Sequence, residues 1–284
     1  MPSRPTVSVL LPAFRAEACI ARAVGSVMAQ DFDDWEIVIA SDDGADYLMV
    51  LAGAGLADAR IRQVDTGGNG SGTPAARNVA FAAARGRLIT PLDADDLYSA
   101  GRLTALVPLA CRHGAAVDNI TAVDEATGDV ITHFLPPEDT SPFLTADKFF
   151  RTSVPTKPLV AAEIGLQWDP KAGISDDVIY LSQLLGILGP LKYLATPLQE
   201  YRIAKGSVTN RADTIEAAEQ GYRRSLRRIG DGTLVIANPP VRAAAQAGLE
   251  RKLRLNRAYG TACERGFTGS FQAFADLDRT PPLR

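Results

Sequence analysis

The strongest constraint in this chain is a short apolar run that empties into acid. Leu88-Ile-Thr-Pro-Leu92 is followed by Asp93-Ala-Asp-Asp96. A run of that length predicts a buried strand. Three carboxylates at its end place charge at the C-terminal edge of a sheet, where open α/β sheets bind ligands. Asp93 and Asp95 are two apart, so in an extended chain they point the same way. Like charges held beside an apolar core repel and are costly to desolvate. A hard divalent cation prefers oxygen ligands and relieves that cost. The plain alternative is a solvated acidic turn in which Asp96 caps the next helix.

The residues before this stretch alternate between the two periodicities. Residues 7–11 are apolar and β-branched, a buried first strand ended by Pro12. Ile20, Ala23, Val24, Val27 and Met28 fall on one face of a helix over 16–29. Residues 35–40 form a second strand that empties into Ser41-Asp42-Asp43-Gly44. A short helix from about 46 and a third strand at 61–64 complete a strand–helix–strand–helix–strand order. That order predicts a parallel sheet with right-handed crossovers. Thr66 to Gly72 is glycine-rich, either a phosphate cradle or a flexible connector. No Lys-Ser/Thr follows, so it is not a Walker loop. Pro74 suits a helix start, and the helix runs to 85 with Gly86 as its cap. Arg77 and Asn78 lie in its first turn, where a cation opposes the helix dipole. That favours a cation held for an anion or a nucleotide over one that serves the helix.

Beyond the acidic stretch, the pattern predicts a helix over 99–113, a hairpin over 115–134 and a strand within 157–162. Asp176 and Asp177 precede a helical stripe of Val178, Leu181, Leu185 and Leu188. Carboxylates are favoured at that helix N-terminus, so capping is the default role for one of them, Asp176 first. Residues 191–203 are extended. From 210 the chain is mostly helical, broken at Gly230 to Gly232 and at Pro239-Pro240.

The 284 residues, 46% hydrophobic and 22% charged, suit one large α/β domain with an appendage. A net charge of −3 gives no field for nucleic acid. Three cysteines without metal spacing fit a reducing compartment, and two histidines leave little for a His-rich zinc site. No leader pattern opens the chain, and no apolar run reaches ~18 residues, so no transmembrane segment and a cytoplasmic location are expected. Arg223, Arg224, Arg227, Arg228, Arg251, Lys252, Arg254 and Arg257 stud the helical tail. They form a solvated face, a homo-oligomer contact, or a peripheral attachment to the anionic inner face of a membrane.

Several motifs in order resemble the family 2 glycosyltransferases of the GT-A fold, over roughly residues 7–207. Val7-Ser-Val-Leu-Leu-Pro-Ala-Phe14 looks like the family's first strand. Ser41-Asp42-Asp43-Gly44-Ala45-Asp46 looks like its Asp-Asp-Gly-Ser-x-Asp turn, with Ser41 in place of the first Asp. Ala76-Arg77-Asn78, Ala84-Arg85-Gly86 and Leu92-Asp-Ala-Asp-Asp-Leu-Tyr98 are similar to its core. Ser175-Asp176-Asp177 resembles its Glu-Asp pair, and Tyr201-Arg202 through Gly206-Ser207 its closing loop. Arg15 stands where Asn is frequent, Asp176 replaces Glu, and Ala204 replaces His, which leaves Arg202 or Lys205 to face a diphosphate.

The resemblance implies an α/β GT-A fold, with a mixed, mainly parallel sheet between helices, over 1–207 and a helical extension over 208–284. It implies metal-dependent, inverting transfer of a sugar, UDP-linked by preference, to an unknown acceptor hydroxyl in polysaccharide or glycoconjugate synthesis. Pro12, Ala13, Phe14, Arg15, Asp42, Asp43, Arg77, Asp93, Ala94 and Asp95 would bind the nucleotide sugar. Within that set Phe14 packs on the base while Asp42 and Arg77 read its edge. Asp95 would ligate Mn²⁺ or Mg²⁺, with Asp93 on the ribose or the metal's waters. Asp177 would be the general base, with Asp176 as its competitor. The rivals are a non-catalytic nucleotide-sugar-binding module and a nucleotidyltransferase; the latter needs a basic, glycine-rich loop after the first strand, which is missing.

Overall fold

The structure is a computed structural model that describes residues 4–204 and 214–279. The chain runs β1 (Val7–Ala13), α1 (Ile20–Met28), β2 (Trp35–Ser41), α2 (Tyr47–Gly53), β3 (Ile61–Asp65), α3 (Thr73–Ala83) and β4 (Leu88–Pro91). It continues through β5 (Leu97–Tyr98), α4 (Arg102–His113), β6 (Ala115–Asp124), β7 (Val130–His133), β8 (Phe143–Leu144), α5 (Ala146–Phe150) and β9 (Leu159–Ala161). After α6 (Asp176–Leu188) and β10 (Leu191–Ile203) come α7 (Thr214–Gly230), α8 (Pro239–Glu264) and α9 (Phe271–Arg279).

The strands form one sheet in the order β3-β2-β1-β4-β9-β6-β10-β5, with β7 on β6 and β8 on β10. From β3 to β4 every pairing is parallel. β9 runs antiparallel to both β4 and β6, and β6 is parallel to β10. Strand order reverses at β1, which has β2 on one side and β4 on the other. The C-terminal ends of these three strands therefore frame the switch-point crevice. Both faces of the sheet are covered, which is why its strands read as unbroken apolar runs. Val7, Val9, Leu11, Ile37 and Ile39 pack with Val24, Val27 and Leu106 on one face. Leu10, Val38 and Ala40 pack with Ala76, Ala80 and Leu184 on the other.

Several local expectations shift. α1 begins at residue 20, not 16, and α4 at 102, after the left-handed Gly101 (φ 78°). α3 ends at Ala83, and Gly86 is no helix cap. A Cβ at Gly86 would lie 2.5 Å from the Ser8 backbone nitrogen, so glycine is needed for a close approach of two chains. The Gly86 N–H donates to Ser8 Oγ (2.8 Å), and Ser8 Oγ donates to the buried Glu36 (2.6 Å). The helices after residue 208 share a core with the sheet. Tyr222, Ile229 and Leu249 belong to the cluster that holds Phe150, Trp168 and Tyr180. The expected boundary at 207 lies outside the described residues, as do Lys205, Gly206 and Ser207.

Beneath the crevice lies a fully buried ion pair. Arg102 Nη2 sits 3.0 Å from Asp118 Oδ1 with both side chains 0% exposed. The same guanidinium donates to the Lys157 carbonyl (2.6 Å) and stacks 4.2 Å over the Tyr98 ring. It thereby joins α4 to β6 and fixes the approach to β9. Asp118→Ala leaves that guanidinium without its counter-ion. We expect it to lower the free energy of unfolding by ~3–5 kcal/mol, read from urea titration. A loss below ~1 kcal/mol would show that the pair is replaceable.

Candidate active site

Three strand ends supply the crevice. β1 delivers half-buried Pro12, buried Ala13 and then Phe14, whose ring stays 44% exposed. Arg15 follows with a left-handed backbone (φ 50°), and its N–H donates to Asp43 Oδ2. Asp43 also accepts from the Tyr47 hydroxyl (2.8 Å) and the Ala45 N–H (3.1 Å), so it organises the turn after β2. Asp42, 3% exposed, turns to the glycine-rich loop. It accepts from Thr66 Oγ1 (2.7 Å), Ser71 N (3.0 Å) and Gly72 N (2.8 Å). Residues 66–72 are thus a braced loop and no slack connector. Gly70 lies against the Phe14 ring, a Cβ there being 3.8 Å from Cε2. The brace takes three of about four acceptor positions on Asp42, which leaves little to read a base edge.

β4 delivers the acidic stretch. Arg77 reaches it from α3, and its guanidinium is engaged by carboxylates. Its guanidinium, 2% exposed, donates to Asp93 Oδ1 (2.6 Å), Asp176 Oδ2 (2.7 Å) and Asp177 Oδ1 (3.1 Å). Lys157, from the segment entering β9, approaches the other oxygens. Its Nζ is 2.5 Å from Asp93 Oδ2 and 3.5 Å from Asp177 Oδ2. The anion that Arg77 serves is therefore the protein's own carboxylates. Asp176 is not a cap, because its side chain is spent on Arg77. Asn78 clamps Trp168 reciprocally, donating to its carbonyl (2.7 Å) and accepting from its N–H (2.9 Å). Trp168 in turn stacks on Tyr180 at 4.3 Å.

The rest of the stretch divides by exposure. Ala94 is buried, and Asp95 is exposed with no ion pair to any described residue. Asp96 is 1% exposed and caps nothing; its Oδ1 accepts from the Arg202 N–H (3.1 Å). The Arg202 guanidinium is committed to Glu125 and Glu200, so it is not free for a diphosphate.

Protonation follows from this arrangement. Burial opposes ionisation of Asp93, but Arg77 and Lys157 outweigh it and hold the carboxyl well below the usual range. Asp177 is likewise lowered, Lys157 and Arg77 overcoming burial. Burial and then the charge of Asp177 push Asp176 up to about 8, so this pair shares one proton near neutrality. Surrounding protein and then Asp93 raise Asp95, while burial with Asp95 and Asp93 raises Asp96 far more.

Comparison with known proteins now bears on the site. Residues 8–159 match the family model described as Glycosyl transferase family 2. The chain belongs to glycosyl transferase family 2. This glycosyltransferase is 30% identical over 242 residues to the succinoglycan biosynthesis protein ExoO of Rhizobium meliloti (strain 1021), covering 79% of this chain and 69% of ExoO. It is 35% identical over 99 residues to the UDP-Glc:alpha-D-GlcNAc-diphosphoundecaprenol beta-1,3-glucosyltransferase WfgD of Escherichia coli, covering 34% of this chain and 38% of WfgD. Its fold superposes on S. aureus TarS 1-349 with a TM-score of 0.60 at 16% identity, over 92% of both chains. The fold is the GT-A arrangement expected. The Asp176–Asp177 pair lies beyond the matched segment.

Among the described residues of the glycosyltransferase, no group of three His, Cys, Asp or Glu could hold a metal ion. The donor set instead fits a cation shared with a substrate. Asp95 offers an exposed carboxylate without an ion-pair partner among the described residues, and Mg²⁺-type sites take one or two carboxylates plus phosphate oxygens. Asp93 does not fit as a second ligand, because Arg77 and Lys157 hold its two oxygens.

The raised Asp176 has a consequence for stability. Its folded-state pKa, about 8, exceeds the ordinary 3.8, so the folded protein holds that proton more tightly. This contribution is complete below pH ~4 and is lost as pH rises towards ~8, with a slope of at most ~1.4 kcal/mol per pH unit. Asp176→Asn should flatten the stability-against-pH curve over that window in paired urea titrations. Parallel curves for the two proteins would refute the shared proton.

Proposed function

We propose that this glycosyltransferase moves a sugar from a UDP-sugar to an acceptor hydroxyl of a growing glycan. The transfer is a single displacement with inversion, assisted by Mn²⁺ or Mg²⁺. The observation that carries this reading is the division of labour among the carboxylates. Exposed Asp95 makes no ion pair with any described residue, whereas Asp177, from a separate segment, is kept ionised by Lys157 and Arg77. Asp93 lies between them and is fixed by the same two cations. A leaving group and an attacking hydroxyl need those two functions apart.

Phe14 offers an exposed aromatic face for the base, beside the glycine-rich loop that Asp42 braces. The UDP-Glc named as the donor of WfgD supports a uridine nucleotide. Asp95 would hold the metal, which supplies Lewis-acid stabilisation of the departing diphosphate. Asp177 accepts the proton of the acceptor hydroxyl as the new bond forms. Its partner Asp176 keeps the shared proton, which leaves Asp177 the ionised carboxylate of the pair. The carboxylate–guanidinium bonds hold the pair in place and exclude water from its buried side.

Two measurements test this. Asp177→Asn should keep UDP affinity within a few-fold while UDP release from the donor falls ~10²-fold or more. If Asp176→Asn abolishes turnover and Asp177→Asn does not, the roles are reversed. In calorimetry, Asp95→Asn should weaken UDP binding at least ~10-fold in Mn²⁺. With chelator the two proteins should bind UDP equally. Equal affinity in Mn²⁺ would remove Asp95 from the metal site.

A further inference from the structure

α7 has two faces with separate tasks. Its inner face is lined by small residues, Ala218, Gly221 and Ser225, pressed on the turn that presents the acid pair. A Cβ on Gly221 would lie 3.3 Å from the Ala172 carbonyl oxygen, and Ser225 Oγ is 3.0 Å from Ser175 Oγ. Its outer face carries Gln220, Arg223, Arg224 and Arg227, spaced as one helical stripe. They line a groove of about 630 Å³ against Glu250 and Leu253 of α8.

All three arginines are exposed. Arg223 shares Glu219 with Arg257, each at 2.9 Å. Arg224 donates to the Lys171 carbonyl (3.1 Å), and Arg227 makes no ion pair with any described residue. Three guanidiniums thus face two carboxylates, Glu219 and Glu250, on a chain whose formal net charge is −3. The patch runs against the charge of the whole.

We propose that this groove docks the enzyme on an anionic lipid bilayer, with α7 lying along the surface. Guanidinium forks bind phosphate bidentately, and a row of them along one helix face suits a planar layer of headgroups. The half-buried Leu226 and Leu253 floor the groove and pack against the core, so attraction to the layer is electrostatic. A nucleic acid would carry its charge past the patch and meet the acidic remainder of the chain. Because the inner face of the same helix touches Ala172 and Ser175, docking would hold the acid-pair turn about one helix diameter, ~10 Å, from the membrane.

The test is co-sedimentation of the full chain with vesicles of phosphatidylcholine alone or with about one third phosphatidylglycerol. Wild type should bind the anionic vesicles, ignore the neutral ones and be released by about 0.5 M NaCl. Arg223→Glu/Arg227→Glu should weaken binding about 30-fold or more, at roughly fivefold per arginine. Arg242→Glu/Arg265→Glu alters the same charge at exposed positions outside the groove and should bind as wild type does. Matched thermal melts confirm folding; should the double variant unfold, Arg227→Gln alone should lose about fivefold. A wild type that ignores anionic vesicles, groove variants that bind normally, or an equal loss in the control pair each overturn the proposal.

Discussion

A guanidinium buried among three carboxylates is the interaction on which the site depends. Arg77 is 2% exposed, and stranding such a charge without partners would cost several kcal/mol. Its partners come from the end of β4, 16 residues away, and from the start of α6, 99 and 100 residues away. The bonds therefore do what no local structure could, and close the parallel half of the sheet onto the segment that carries the acid pair. Lys157 completes the arrangement from a third direction, and the Arg102–Asp118 pair beneath fixes Lys157 through its carbonyl. Like charges that would repel in isolation are gathered here because two cations bridge them.

The parallel half of the sheet was legible in the sequence because each strand is apolar throughout and each ends in polar residues. That combination located Phe14, Asp42 and the acidic stretch at one edge without any tertiary information. What stayed hidden was pairing. Nothing local to Arg77 says that it will meet Asp176, and the dipole argument for a free cation pointed to a ligand instead. Lys157 was missed entirely. The one signal available was a lysine inside a segment read as a buried strand, where an unpaired ammonium is too costly to leave. Gly86 was misread for the opposite reason. Glycine marks both left-handed caps and close backbone approaches, and only the neighbouring chain decides between them.

The acidic stretch shows how burial divides chemically identical residues. Asp93, Asp95 and Asp96 lie within four positions, yet one is locked between cations, one is exposed and one is sealed against β10. Burial and the neighbouring carboxylates raise Asp96, which accepts from the Arg202 N–H and so ties the stretch to β10. Of the three side chains, that of Asp95 alone makes no ion pair or hydrogen bond with another described residue. Sequence spacing put Asp93 and Asp95 on one side of a strand, but it could not say that one of them was already occupied.

The reciprocal amide clamp between Asn78 and Trp168 gives the molecule a built-in optical probe. The chain has two tryptophans. Trp35 lies at the start of β2, capped by the Arg60 guanidinium at 3.7 Å and remote in the chain from the carboxylate cluster. Trp168 is held by backbone bonds on both sides, stacked on Tyr180, with the Arg77 guanidinium 5.8 Å from its ring. An indole so immobilised cannot relax away from a change in the field around it. Any rearrangement of charge among Arg77, Asp93 and the acid pair is therefore written into the emission wavelength of one residue.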